Sequence, residues 1–172
     1  MKSIKKLAAW ICGTVKYCAE VCGAVAVNLV IMPSMVYATY AYMMWLGILE
    51  PVRDFGWNIT REFSAGLFMM VLVKYIMVGI TEEATFRYML QDRALTKWLK
   101  LPKVVSLLLA SLLFGAAHLG NGWGIPDSIP QSVGAAFAGV WFGYLYDKKG
   151  LHFAMLTHGL YDVVVVSLVM FT

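Results

Sequence analysis

The feature that most constrains this sequence is the absence of charge over long distances. From Val21 to Leu49 there is no Asp, Glu, Lys or Arg. That run exceeds the roughly 20 apolar residues a helix needs to cross the hydrocarbon of a bilayer. Only 14% of the 172 residues are charged and 60% are hydrophobic, against about 25% and 45–50% in an average soluble domain. One small core could not hide that much apolar surface. Disorder, a coiled coil and a nucleic-acid tail are excluded. The predicted class is all-α: a polytopic membrane helix bundle forming a single membrane domain over residues 1–172. The net charge of +4 then marks cytoplasmic loops, with the lipid bilayer and not a nucleic acid as partner.

Charge spacing divides the chain into five expected spans. After Val21–Leu49 come Phe63–Thr81, broken only by Lys74, then Val104–Gly120, Ser128–Tyr146 and Leu151–Phe171. Lys74 can snorkel to the interface. The stretch Leu7–Val15, beside Lys2, Lys5 and Lys6, reads as an added N-terminal interfacial helix. A signal peptide is the rival reading, weakened by Lys16 and Glu20 just beyond it. The connections alternate in charge. Glu50–Glu62 is mixed, Arg87–Lys103 has five basic residues and one Asp, Asn121–Pro130 carries only Asp127, and Asp147–Gly150 carries Lys148 and Lys149. Basic segments fall at every second connection, which predicts an integral protein of the cytoplasmic (inner) membrane with a cytoplasmic N-terminus.

Other features point to packing. Cys12, Cys18 and Cys22 are odd in number and close together, so they read as small buried hydrophobes or, secondarily, palmitoylation sites, not a disulfide framework. Gly139 and Gly143, with Gly134, Ala135 and Ala136 upstream, suit close helix contact.

Ionisable groups inside a bilayer are costly, so each is a candidate functional residue. Three constellations qualify: Thr81-Glu82-Glu83-Ala84-Thr85-Phe86-Arg87, Phe114-Gly115-Ala116-Ala117-His118, and His158-Gly159-Leu160-Tyr161-Asp162. On a helix, Glu83 and Arg87 form an ion pair in the favourable order. Glu82 lies about 100° away around the axis and can face the bundle interior. There it would act as a general base, unless all three residues simply form a helix end at the cytoplasmic surface. Phe114 and His118 share a helix face, where His118 is either a catalyst or a hydrogen-bonded core residue. His158 and Asp162 are four apart. The carboxylate either fixes the imidazole tautomer or locks two helices together.

A hairpin turning near Lys100 sets Glu82 and His118 level, each about eighteen residues from the turn. On straight helices that is about 27 Å, at 1.5 Å per residue. His158 is only about nine residues past the turn at Lys149. The three groups meet only if the hairpins are offset.

A double glutamate with Arg four residues after the second, then Phe-x-x-x-His, then His-x-x-x-Asp, in this order on hydrophobic helices, resembles the CPBP family. These are the CAAX-processing and bacteriocin-processing intramembrane endopeptidases, also called Abi or Rce1-like. The resemblance spans about Thr81 to Asp162, which sets off residues 1–62 as N-terminal helices and 63–172 as an Rce1-like catalytic core. It implies a glutamate-dependent protease acting on a prenylated, leader-type or hydrophobic peptide or protein at the membrane. By motif position Glu82 activates water with His118, Glu83 and Arg87 complete the first motif, and His158 with Asp162 stabilises the oxyanion. Family members often have Asn at the last position, and an ionised Asp cannot donate a hydrogen bond. No cofactor is expected. The alternative is zinc, with Glu82, His118, His158 and Asp162 as ligands. Competing functions are a non-proteolytic bacteriocin-immunity or binding scaffold of the same fold, and a proton-coupled transporter subunit.

Overall fold

The computed structural model describes residues 2–49, 64–121 and 124–171. The expected Glu50–Glu62 connection, the boundary between 62 and 63, and part of the Asn121–Pro130 connection lie outside the described residues.

Five helical elements follow in order. Helix α1 is Lys2–Trp45, 44 residues with Pro33 inside it. Here the structure differs from the sequence reading. The N-terminal stretch is not a separate interfacial helix but the first half of α1, because no helix breaker precedes Pro33. Helix α2 is Ala65–Glu83, and the Ser64 side chain caps it by accepting from the Leu67 N–H at 3.1 Å. The helix does not stop at Glu83. It continues as a π-helical segment over Ala84–Trp98, ended by Lys100 at φ 54°. Helix α3, Lys103–Ala116, follows Pro102. Helix α4, Ile125–Lys149, has Pro126 in its first turn and closes at Gly150, φ 86°. Helix α5 is Leu151–Phe171.

By length and apolarity, Ala9–Trp45, Ala65–Trp98 and Leu151–Leu168 suffice to cross a membrane. The other two expected spans differ. Helix α3 has only 14 residues. Helix α4 is long enough, but its Ser, Gly and Gln residues lower its apolarity.

The burial pattern is that of a membrane protein. Fully buried positions include Asn28, Glu83, Arg87, Gln91, Ser106, Ser111 and Thr157, while Met69, Met70, Val73, Val104, Leu108 and Leu112 are exposed. In lipid the apolar side chains need no hiding and the polar ones do. The three cysteines are likewise exposed along α1, free and unpaired, so the expectation that they are buried does not hold.

Two glycine contacts set the helix spacing at the site. A Cβ on Gly79 would lie 2.5 Å from the Gly159 nitrogen, and one on Gly115 would lie 2.6 Å from the Ser132 oxygen. The first brings α2 and α5 into backbone contact, the second α3 and α4. Helix α1 is fastened to α4 by the Trp141 indole, which donates to the Ala24 carbonyl at 3.1 Å.

Candidate active site

The switch from α to π geometry occurs at the double glutamate. In the segment after Glu83, side chains pair five residues apart. The Arg93 guanidinium donates to the Tyr88 hydroxyl at 2.8 Å, Lys97 pairs with Asp92 at 2.7 Å, and the Thr96 hydroxyl donates to the Gln91 carbonyl at 2.8 Å. A helix closed by i→i+5 bonds turns less per residue than an α-helix. Along it every fourth residue, Glu83, Arg87, Gln91 and Leu95, is buried. The wider helix also rises less per residue. That shortens the path from the Lys100 turn to the glutamates and removes part of the depth mismatch expected for straight helices.

Glu83 sits at the centre of this stripe with both oxygens engaged. Oε2 accepts from Arg87 Nε at 3.1 Å, and Oε1 lies 2.9 Å from His158 Nδ1. The carboxylate paired with Arg87 only accepts, so His158 Nδ1 carries a proton. This leaves Nε2 on the opposite side of the ring, 3.5 Å from Asp162 Oδ2 and 3.7 Å from Glu82 Oε2. Those separations flank Nε2 without a close hydrogen bond. The imidazole is held flat by Phe142, whose ring stacks on it at 4.4 Å and 14°. Phe114 abuts it edge-on at 5.8 Å.

Phe114 links the remaining groups. It touches His118 at 4.8 Å and lies under the Arg87 guanidinium at 5.2 Å. His118 itself is not on a helix, as the sequence reading had it. Helix α3 ends at Ala116, and His118 lies in the turn that follows, its backbone N–H donating to the Gly115 carbonyl. Its ring still reaches back one turn, with Nδ1 2.8 Å from the Phe114 carbonyl. A carbonyl only accepts, so Nδ1 carries a proton, and in the neutral imidazole Nε2 is then the lone-pair nitrogen.

Glu82, His118, His158 and Asp162 all line one cavity of about 530 Å³, bounded by α1, α2, α4 and α5. Glu83 and Arg87 stand behind it, fully buried. The Glu82 side chain is about a third exposed, in contrast to its neighbour. Among the described residues no three of His, Cys, Asp and Glu come together as a metal-ligand group. The four residues named as alternative zinc ligands share this cavity.

The sequence model of the type II CAAX prenyl endopeptidase Rce1-like family matches residues 64–164, more than half of the chain. The chain belongs to the Rce1-like family. No curated protein and no solved structure matches it. The Rce1-like match begins at the Ser64 cap of α2 and ends two residues past Asp162. It thus encloses Glu82, Glu83, Arg87, His118, His158 and Asp162 and leaves α1 outside. Together with the long apolar helices it makes this an integral membrane protein with a CAAX-protease fold assignment.

Several contributors escaped sequence reasoning. Phe142 belongs to none of the three constellations, yet it stacks on His158. Gln91 ties the π segment to α4, donating to Asp147 at 3.3 Å and the Gly143 carbonyl at 3.4 Å. Met32, Tyr37 and Tyr40 show that α1 supplies a cavity wall. The one available signal was Gly79, a small residue one turn before Glu83 in an otherwise bulky run.

Proposed function

We propose that this Rce1-like protein hydrolyses a peptide bond within or at the membrane, using water activated by Glu82. The observation that carries this reading is the unequal treatment of the two adjacent glutamates. Glu83 is neutralised by Arg87 and used to hold His158. Glu82 has no cationic Lys or Arg partner among the described residues and opens into the cavity. Peptide hydrolysis needs a base for water, donors for the tetrahedral oxyanion and a proton for the leaving amine. Glu82 is the base. The lone-pair nitrogen of His118 accepts from the same water and helps to orient it. With Nδ1 already bonded to Glu83, His158 donates from Nε2 to the oxyanion as an imidazolium. Asp162, beside that nitrogen, either keeps the ring in place or donates as the neutral acid. Glu82, protonated by the water, returns its proton to the departing amine. The mechanism takes no metal or cofactor.

The basic segments gather at one end of the bundle, which supports a cytoplasmic N-terminus. Lys149 reaches back to Glu20 of α1 at 2.9 Å, so the N-terminal half of α1 and the α4–α5 turn share that end.

The test is Glu82→Gln in proteoliposomes with a mixed library of internally quenched apolar peptides. Loss of cleavage by at least about a hundredfold with an unchanged fold supports the assignment. Full activity in Glu82→Gln refutes it.

A further inference from the structure

The wall of the catalytic cavity is acidic and aromatic. Besides Glu82 and Asp162 it contains Asp127, from the first turn of α4, and among the described residues no Lys or Arg lines it. Asp127 is exposed and has no ion-pair partner among the described residues. The nearby guanidinium, Arg87, is fully buried and bonded to Glu83. Four tyrosines, Tyr37, Tyr40, Tyr75 and Tyr161, contribute to the same wall.

Such a wall discriminates by charge. A carboxylate entering it meets the carboxylates of Glu82, Asp162 and Asp127, and the His158 imidazolium of the proposed mechanism is already flanked by Glu82 and Asp162. An ammonium or guanidinium meets carboxylates and aromatic faces, both of which attract it. Resting on the hydrolase reading above, we propose that the substrate is a peptide segment that carries a Lys or Arg side chain beside the scissile bond and continues past it. A peptide that ends close to that bond in a free carboxylate is discriminated against. Asp127 is the specificity-determining residue. It sits on α4, away from the Glu83–His158 framework, and is free to receive the cation.

The experiment uses the full chain in phosphatidylcholine liposomes. Short internally quenched apolar peptides are made with Lys, Ala or Glu at one central position, each as the C-terminal amide. The Ala peptide is also made as a free acid that ends shortly after the cut, with cleavage sites mapped by mass spectrometry. The Lys peptide should exceed the Ala peptide in kcat/KM by at least about tenfold, or about 1.4 kcal/mol. The Glu peptide and the free acid should fall below the Ala amide. Asp127→Asn should pull the Lys-to-Ala ratio toward one. Equal cleavage of Lys and Glu peptides by the wild type, or an unchanged ratio in Asp127→Asn, overturns the selectivity while the hydrolase stands. If no peptide is cleaved in a Glu82-dependent manner, the wild type and Glu82→Gln behave alike, and the hydrolase reading falls with it.

Discussion

Replacing Glu83 with Ala isolates the charge balance on which the site rests. Glu83 and Arg87 are both fully buried, and Arg87 Nε has its acceptor in Glu83 Oε2 at 3.1 Å. Arg87 Nη1 and Nη2 already have no hydrogen-bond partner. Removing the carboxylate therefore leaves a buried cation whose remaining close partner is the Phe114 ring, 5.2 Å from Cζ. Such a cation–π contact supplies about 0.5–2 kcal/mol. Stranding one member of a buried ion pair costs about 3–5 kcal/mol, so Glu83→Ala should lower the folded-to-unfolded ratio about a thousandfold. Glu82→Ala is the matched comparison. Its side chain is 31% exposed and 3.7 Å from its nearest ionic partner, so its loss should cost under about 1 kcal/mol. Unfolding by SDS titration in mixed micelles, followed by circular dichroism, reads both. Replacing Arg87 as well, in Glu83→Ala/Arg87→Met, should recover at least half of the loss, because the stranded charge is gone. Equal stability of Glu82→Ala and Glu83→Ala, or a double variant no better than Glu83→Ala alone, would refute the reasoning.

Further outcomes follow from the same geometry. Asp162→Asn should retain activity, since an amide can donate where an ionised carboxylate cannot, whereas Asp162→Ala should lose about 10²–10³ in kcat if the residue serves the oxyanion. Phe142→Ala removes a ring that is 1% exposed and should cost about 3–5 kcal/mol in the same titration, with activity falling further as His158 loses its stacking partner. Gly79→Ala must move α2 off α5, because its Cβ would lie 2.5 Å from a backbone atom, while Gly23→Ala meets nothing within 4 Å. The first should cost about 1–3 kcal/mol and reduce cleavage, and the second should be neutral or slightly stabilising.

The five apolar runs were legible because charge is so scarce. Leu151–Phe171 is the observed α5, and Ser128–Tyr146 lies inside α4. Sequence also paired Glu83 with Arg87 and separated Glu82 from both. It did not reach the contact that organises the site. His158 is 75 positions from Glu83, and their meeting depends on α2 and α5 touching at Gly79 and Gly159, a packing event without local signature. The π segment was illegible for another reason. Apolar periodicity does not register whether a carbonyl bonds four or five residues ahead. The i,i+5 pairs of Asp92 with Lys97 and Tyr88 with Arg93 become meaningful only once the backbone is known. His118 was misplaced onto a helix because Phe114 and His118 are spaced as one turn. The ring does reach that turn, but the backbone has already left the helix.

A catalytic carboxylate in a bilayer faces two opposed demands. It must be ionised to take a proton, and an ion in hydrocarbon is expensive. This chain separates the demands between neighbours. Glu83 bears the burial, with Arg87 cancelling its charge and His158 using its second oxygen. Glu82, about a hundred degrees around the axis, escapes burial because it faces a cavity wide enough for water. The change to π geometry begins at the next residue, Ala84, and Arg87 and Gln91 lie on the buried stripe that Glu83 starts. Gln91, two turns beyond Glu83, donates to Asp147 and the Gly143 carbonyl of α4. Arg87 thus neutralises the buried glutamate one turn before it, and the adjacent Glu82 is left facing the cavity where the substrate and water arrive.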